Sequence, residues 1–201
     1  MTMINYPDSL THGLSRAEMI ERMHGRLNQP RFDHCVRVEA TARQLAVRFG
    51  LDVDRAGLAG LLHDYAKQVP VAEYERVIKT HGYNPKLLRY NRGIWHGVVG
   101  TYFIKRELGI DDELVLQAIE RHTTGDPHMT ELDMTTFVAD YIEPLRHLPA
   151  QVRARGLAQT SLSKATIAEL QGTLTFLINR QQLVYPKTLK TFNALVNKEN
   201  R

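Results

Sequence analysis

An all-helical fold is what this chain of 201 residues predicts, and three observations carry the prediction. Apolar side chains recur every third or fourth residue in one segment after another, no alternating strand pattern competes with them, and the eight prolines are scattered where elements would begin or end. With 43% hydrophobic and 24% charged residues, the chain can bury enough apolar surface to offset its ordering entropy. Its length suits one well-cored domain over residues 1–201 better than two.

The clearest period starts at Phe32 and continues through Cys35, Val38, Ala42, Leu45 and Phe49, and Gly50 is placed to stop that helix. His34 therefore rides on a helix. Asp54 can cap the next one, whose Leu58, Leu61, Leu62 and Tyr65 form an apolar stripe before Val69 and Pro70 end it. His63, Asp64 and Lys67 are expected on that helix. Val98, Val99, Tyr102 and Phe103 mark a third, with His96 at its opening. Leu114, Val115, Ala118 and Ile119 mark a fourth, after an acidic Asp111-Asp112 start that suits the positive end of a helix dipole, and His122 closes it. The run from Phe137 to Ile142 is apolar enough for a buried strand, but Pro144 and the helical surroundings favour a helix carrying Asp140. Ser163 to Arg180, with Ile167, Leu170, Leu174, Leu177 and Ile178, reads as a long amphipathic helix. Pro186 can open a last helix carrying Leu189, Phe192, Leu195 and Val196.

Composition narrows the chemistry. The single cysteine, Cys35, excludes an internal disulfide and a cysteine-cluster metal site, so any metal must be held by nitrogen and oxygen. No apolar run approaches the ~20 residues of a membrane span and the N-terminus lacks the apolar core of a secretory signal, so a cytoplasmic protein with no membrane partner is expected. The formal charge of +4 is spread along the chain without dense basic runs, which suits an anionic substrate and gives no reason to expect nucleic acid. Nine histidines are more informative, because imidazole is the commonest metal ligand and the usual proton-transfer group near neutral pH.

Five helical segments each place metal-competent side chains, in the order His34, His63-Asp64, His96, His122 and Asp140. Each interval is long enough for a helix to leave a site and another to return, which is how helical bundles build metal centres. Six nitrogen and oxygen ligands exceed what one ion with an open position would use and suit two, an arrangement that clamps the attacking and leaving oxygens of a phosphoryl displacement. Imidazole with carboxylate fits iron, manganese or zinc better than magnesium or calcium, and iron is favoured.

These residues resemble the HD superfamily of metal-dependent phosphohydrolases, named for the His-Asp doublet that stands here at His63-Asp64. The strings LLHDYAK (Leu61 to Lys67), RHTTG (Arg121 to Gly125) and VADYIEPLR (Val138 to Arg146), with RFDHCVRV before them and WHG between, are similar to the YqeK-like bacterial symmetrical diadenosine tetraphosphatases. The resemblance spans about Arg31 to Arg146 and implies an HD-domain helical bundle over about 31–146, with additional C-terminal helices over about 150–201. It also implies hydrolysis of diadenosine tetraphosphate to two ADP at a dinuclear iron site. Carried over position by position, His34, His63, Asp64 and Asp140 would hold one ion, and Asp64 would bridge to a second held by His96 and His122. Asp64 and Lys67 would be the catalytic pair of that set. Lys67 and Arg146 could neutralise phosphate oxygens, Thr123 and Thr124 offer hydroxyl donors, and Gly125 would let the backbone turn beside a nucleotide substrate. No side-chain nucleophile is needed, because metal binding lets water attack phosphorus near neutral pH.

Two positions depart from the family pattern: Asp126 follows HTTG where a basic or neutral residue would suit a polyphosphate better, and the region of Asp133 lacks a lysine. Both bear on substrate contacts and leave the ligands intact. His12, His24, His81, His128 and His147 match no position of the pattern, and Tyr65 and Trp95 are better read as core than as stacking surfaces for a base. Two other readings stand beside the first: an HD hydrolase of another nucleotide or phosphate ester, and a helical nucleotide-sensing module without turnover. A stripe at Leu170, Leu174 and Leu177 would support a homodimer if it were exposed.

Overall fold

The computed structural model of the chain describes residues 4–200. Among the described residues there are helices and turns and no strand, as the periodicity predicts. In chain order the helices are α1 (Asp8–Thr11), α2 (Arg16–His24), α3 (Gln29–Phe49), α4 (Val53–Leu62) and α5 (Val71–Thr80). A 3-10 turn at Pro85–Arg89 leads to α6 (Arg92–Val98), α7 (Gly100–Leu108), α8 (Glu113–Arg121) and α9 (Glu131–Ile142). The C-terminal helices are α10 (Pro149–Leu157), α11 (Leu162–Asn179) and α12 (Pro186–Glu199).

The long α3 is the spine. Asn28 caps it by accepting from the Arg31 amide, Pro30 occupies its first turn, and Gly50 ends it at φ 68°, a conformation that costs glycine little. Its buried face, with Cys35, Val38, Ala42, Leu45 and Ala46, packs against α4 and α9. Gly60 permits the approach of α4, since a Cβ there would lie 3.0 Å from the Val38 carbonyl oxygen and 3.1 Å from the Glu39 Cα. Leu58, Leu61 and Leu62 are fully buried, each contributing about 1.5–3 kcal/mol by leaving water. On one side α3 and α4 join α9, α10 and α11 in one apolar cluster, and a second cluster runs from α2 through α4, α5, α7 and α8. Cys35, Tyr65 and Trp95 are core residues, the tyrosine hydroxyl donating to Glu107 and the indole to the Leu87 carbonyl.

Four expectations from the sequence need correction. Asp52, not Asp54, caps α4, because its carboxylate reaches the amides of Asp54 and Arg55. That helix ends at Leu62, so His63, Asp64 and Lys67 lie in the turns just beyond it, where the bonds from the Tyr65 and Lys67 amides reach back three residues instead of four. His96 does not open the helix of Tyr102 and Phe103; it sits in the last turn of the separate α6. Leu170 and Leu174 of α11 are buried and Leu177 is half-buried, so they form no exposed dimer stripe, and the large apolar side chains left exposed there are Phe176 and Ile178.

Candidate metal centre

The six expected ligands converge. His34 comes from the second turn of α3 and Asp140 from the last turns of α9, with His34 Nε2 3.0 Å from Asp140 Oδ1. His63 and Asp64 arrive from the turn after α4, His96 from the end of α6 and His122 from the C-cap of α8. Asp64 is fully buried and central: Oδ1 lies 3.1 Å from His96 Nε2 and 3.9 Å from His122 Nε2. Its Oδ2 lies 3.5 Å from His63 Nε2 and 3.9 Å from His34 Nε2. One carboxylate thus faces two groups of imidazoles with its two oxygens. Their ligand atoms form overlapping triads, His34-His63-Asp64, His63-His122-Asp140 and Asp64-His96-His122, each gathered within 4.8 Å.

The histidines are aimed from behind. His63 Nδ1 is 2.7 Å from the Gly60 carbonyl, His122 Nδ1 is 2.6 Å from that of Ile119, and His96 Nδ1 is 2.8 Å from that of Arg92. A carbonyl can only accept, so each Nδ1 carries the proton and each Nε2 turns a lone pair to the centre. For His34 the same place is taken by Glu143, whose Oε1 lies 3.3 Å from Nδ1. His63 and His122 occupy helix C-termini, where the backbone leaves carbonyls free for such use.

This arrangement fits cations. The buried His34 Nε2, His63 Nε2 and Asp64 Oδ1 have no hydrogen-bond partner, a costly state for buried polar atoms that a bound ion relieves. His96 Nε2 and His122 Nε2 lie 2.9 Å apart with lone pairs opposed, a repulsion that a positive charge between them reverses. An all-imidazole and carboxylate set of this kind suits divalent transition ions.

Electrostatics agree with the geometry. Burial and then the Lys67 ammonium hold His96 below the ordinary imidazole range, and burial with the facing His96 and His63 rings holds His122 well below it, so both stay neutral as ligands must be. Burial alone would lower His63, but the adjoining Asp64 carboxylate outweighs it and raises that ring. Burial alone would likewise raise Asp64 and Asp140. Against it, His63 and Lys67 drive Asp64 well below the usual carboxylate range, and the adjoining His34 and His63 rings do the same for Asp140.

The expected substrate contacts divide. Lys67 Nζ lies 2.9 Å from His96 Nε2 and 3.3 Å from Asp64 Oδ1, and the Thr123 hydroxyl lies 3.0 Å from His122 Nε2 and 3.1 Å from His96 Nε2, so both are at the centre. Arg146 Nη2 is 3.4 Å from Asp140 Oδ1. Thr124 is fully buried, and its hydroxyl turns to the Gly125 carbonyl. Gly125, at φ 64°, faces α12, where a Cβ would lie 2.6 Å from the Thr191 methyl. These two residues shape the turn beneath the site and pack it on the C-terminal helix. Asp126, which departs from the family pattern, is bound to Lys187 of α12 at 2.9 Å and so does not meet a substrate as a free charge. Asp133 is likewise engaged, accepting from Arg121 and from the Thr130 amide.

Three residues at the centre were not singled out from the sequence. Arg31 donates to Asp64 Oδ2 at 2.8 Å, Arg37 donates to Glu143 at 2.7 Å, and Glu143 braces His34. All three stand inside the strings RFDHCVRV and VADYIEPLR, and that proximity to His34 and Asp140 was the available signal. With Arg146 they line a cavity of about 290 Å³ that opens on His34.

A His-Asp doublet set among three further histidines and an aspartate is the arrangement of an HD-type hydrolase, and the model of the HD domain family matches residues 31–145: the chain belongs to that family. Within it, the chain is 41% identical over 184 residues to a Bacillus subtilis protein named bis(5'-nucleosyl)-tetraphosphatase, symmetrical, covering 92% of this chain and 99% of the relative. A protein of the same name from Halalkalibacterium halodurans is 39% identical over 91% of this chain and 98% of its own length. A solved structure from Clostridium acetobutylicum, described as a predicted HD superfamily hydrolase involved in NAD metabolism, superposes with a TM-score of 0.86 at 33% identity, over 90% of this chain and 97% of that one.

Proposed function

We propose that the protein hydrolyses diadenosine tetraphosphate symmetrically to two ADP, the whole chain acting as one catalytic unit. The observation that carries the reading is the placement of Asp64, whose two oxygens each face a separate set of imidazoles, with three buried polar atoms of the cluster lacking a hydrogen-bond partner. His34, His63, Asp64 and Asp140 would hold one cation and Asp64, His96 and His122 a second, with iron the expected metal. Such cations would supply Lewis acidity and a water of lowered pKa.

The chain does the rest. Arg31, Arg37 and Arg146 crowd one cavity with planar cations able to neutralise a polyphosphate through paired hydrogen bonds. Lys67 Nζ, beside His96, would donate a hydrogen bond toward the reacting phosphate, and Thr123 presents a hydroxyl on the same side. Glu143 and the backbone carbonyls behind the rings fix the ligands before substrate arrives, so little reorganisation remains to be done. Relatives of nearly equal length that carry the symmetrical tetraphosphatase name support the substrate assignment.

The test is product analysis on metal-loaded protein with a panel of dinucleoside polyphosphates, alongside metal content. ADP alone from diadenosine tetraphosphate is expected, and AMP with ATP, or no turnover, overturns the assignment. His63→Ala and Asp64→Ala should lose both metal and turnover, whereas Lys67→Ala should keep metal and lose rate; full activity of the doublet variants would refute the mechanism.

A further inference from the structure

Two cavities reach this centre, and they differ in chemistry. The first, of about 290 Å³, is the arginine-lined one that includes His34. The second, of about 500 Å³, has Thr123 in its lining, and the Thr123 hydroxyl touches His96 and His122, so this cleft opens on the edge of the cluster. Its apolar walls are Ile94 from α6, Phe176 and Leu177 from α11, and Leu183 and Tyr185 from the connection into α12. Phe176 is 51% exposed and Leu183 66%, large apolar side chains left in water beside a charged centre. The Tyr185 ring is held edge-on by Tyr90, with centroids 4.9 Å apart, and offers a fixed wall. Small-molecule sites usually measure about 300–1,000 Å³ and combine apolar walls with a few polar groups, a description the second cavity meets and the first, small and ionic, does not.

We propose that the 500 Å³ cleft seats one nucleoside of the substrate, its base against Phe176, Leu183 and Tyr185, while the polyphosphate crosses Thr123 and the cluster toward Arg31, Arg37 and Arg146. The inference rests on the proposed function and deepens it. Two chemically identical halves of one substrate then meet unlike surroundings: one is gripped by its base, the other by its phosphates. It also gives the C-terminal helices, which contribute no ligand, a direct part in substrate recognition.

Calorimetric titration of the metal-loaded full chain with ADP and with inorganic diphosphate separates base from phosphate binding. Phe176→Ser and Leu183→Ser alter exposed side chains, so the fold is little disturbed. Each should weaken ADP about tenfold, the effect of losing one good contact to a base, and leave diphosphate within about twofold. Unchanged ADP affinity in both variants, parallel weakening of ADP and diphosphate, or no binding of ADP by the parent protein would overturn the assignment. A parent protein that binds ADP through this cleft yet releases none from diadenosine tetraphosphate refutes the proposed function and leaves the cleft standing.

Discussion

At the scale of single residues, the site depends on side chains that never reach a ligand position. Glu143 is buried, braces His34 through Nδ1 and is itself held by Arg37; burial would raise its carboxyl, but the Arg37 hydrogen bond brings it below the ordinary range. Substituting Glu143→Gln removes the charge behind His34 while keeping the volume. Losses of about 10–100-fold in metal affinity are expected for such a change, with the helical content intact, and a metal-binding titration unchanged from the parent would show that His34 needs no brace. The converging histidines and aspartates were legible in the sequence, because imidazole and carboxylate at helical intervals have few other joint uses. Arg31 and Glu143 were not, since an arginine or glutamate on a helix ordinarily faces solvent, and only the fold turns these two inward.

The elements were legible where apolar period and stop signal coincide, as along α3 up to Gly50 and from Pro186 into α12. They were misread where function overrides period. Leu61, Leu62 and Tyr65 continue the helical spacing, yet α4 stops at Leu62, and the His63 imidazole takes the Gly60 carbonyl as its own partner. Helix α11 carries a different anomaly on its inward face: Glu169 is buried, its Oε2 finds no partner, and burial, then the nearby Asp140, push its carboxyl well above the ordinary 4.5. A folded state that retains this proton competes poorly with an unfolded chain that releases it. Stability is therefore expected to fall as pH rises from about 4.5, the unfolded value, through the raised folded value. Glu169→Gln should remove that slope, so its advantage over the parent in urea unfolding grows with pH across the window; a difference independent of pH would assign the effect to packing alone.

For the whole molecule, the class of fold was written in the periodicity, and the family in the ordered motifs, but the role of the last fifty residues was not. They show no ligand and no motif, and only the assembled structure brings Thr191 against Gly125, Lys187 to Asp126, and Phe176 to the rim of the second cleft. Cations that bind the folded chain and not the unfolded one must stabilise it, by about 4 kcal/mol at a thousandfold excess over Kd. For a chain of this size that corresponds to roughly 8–16 °C in Tm, to be read by calorimetry before and after chelation, and an unmoved Tm would mean that the six ligands hold no ion. Because those side chains are contributed by five separate stretches ending at Asp140, a ribosome-bound polypeptide has no finished centre until synthesis has passed Asp140. Capture of metal is then a late event in the birth of the protein, and a cell starved of the ion would be left with a slackened population exposed to its proteases.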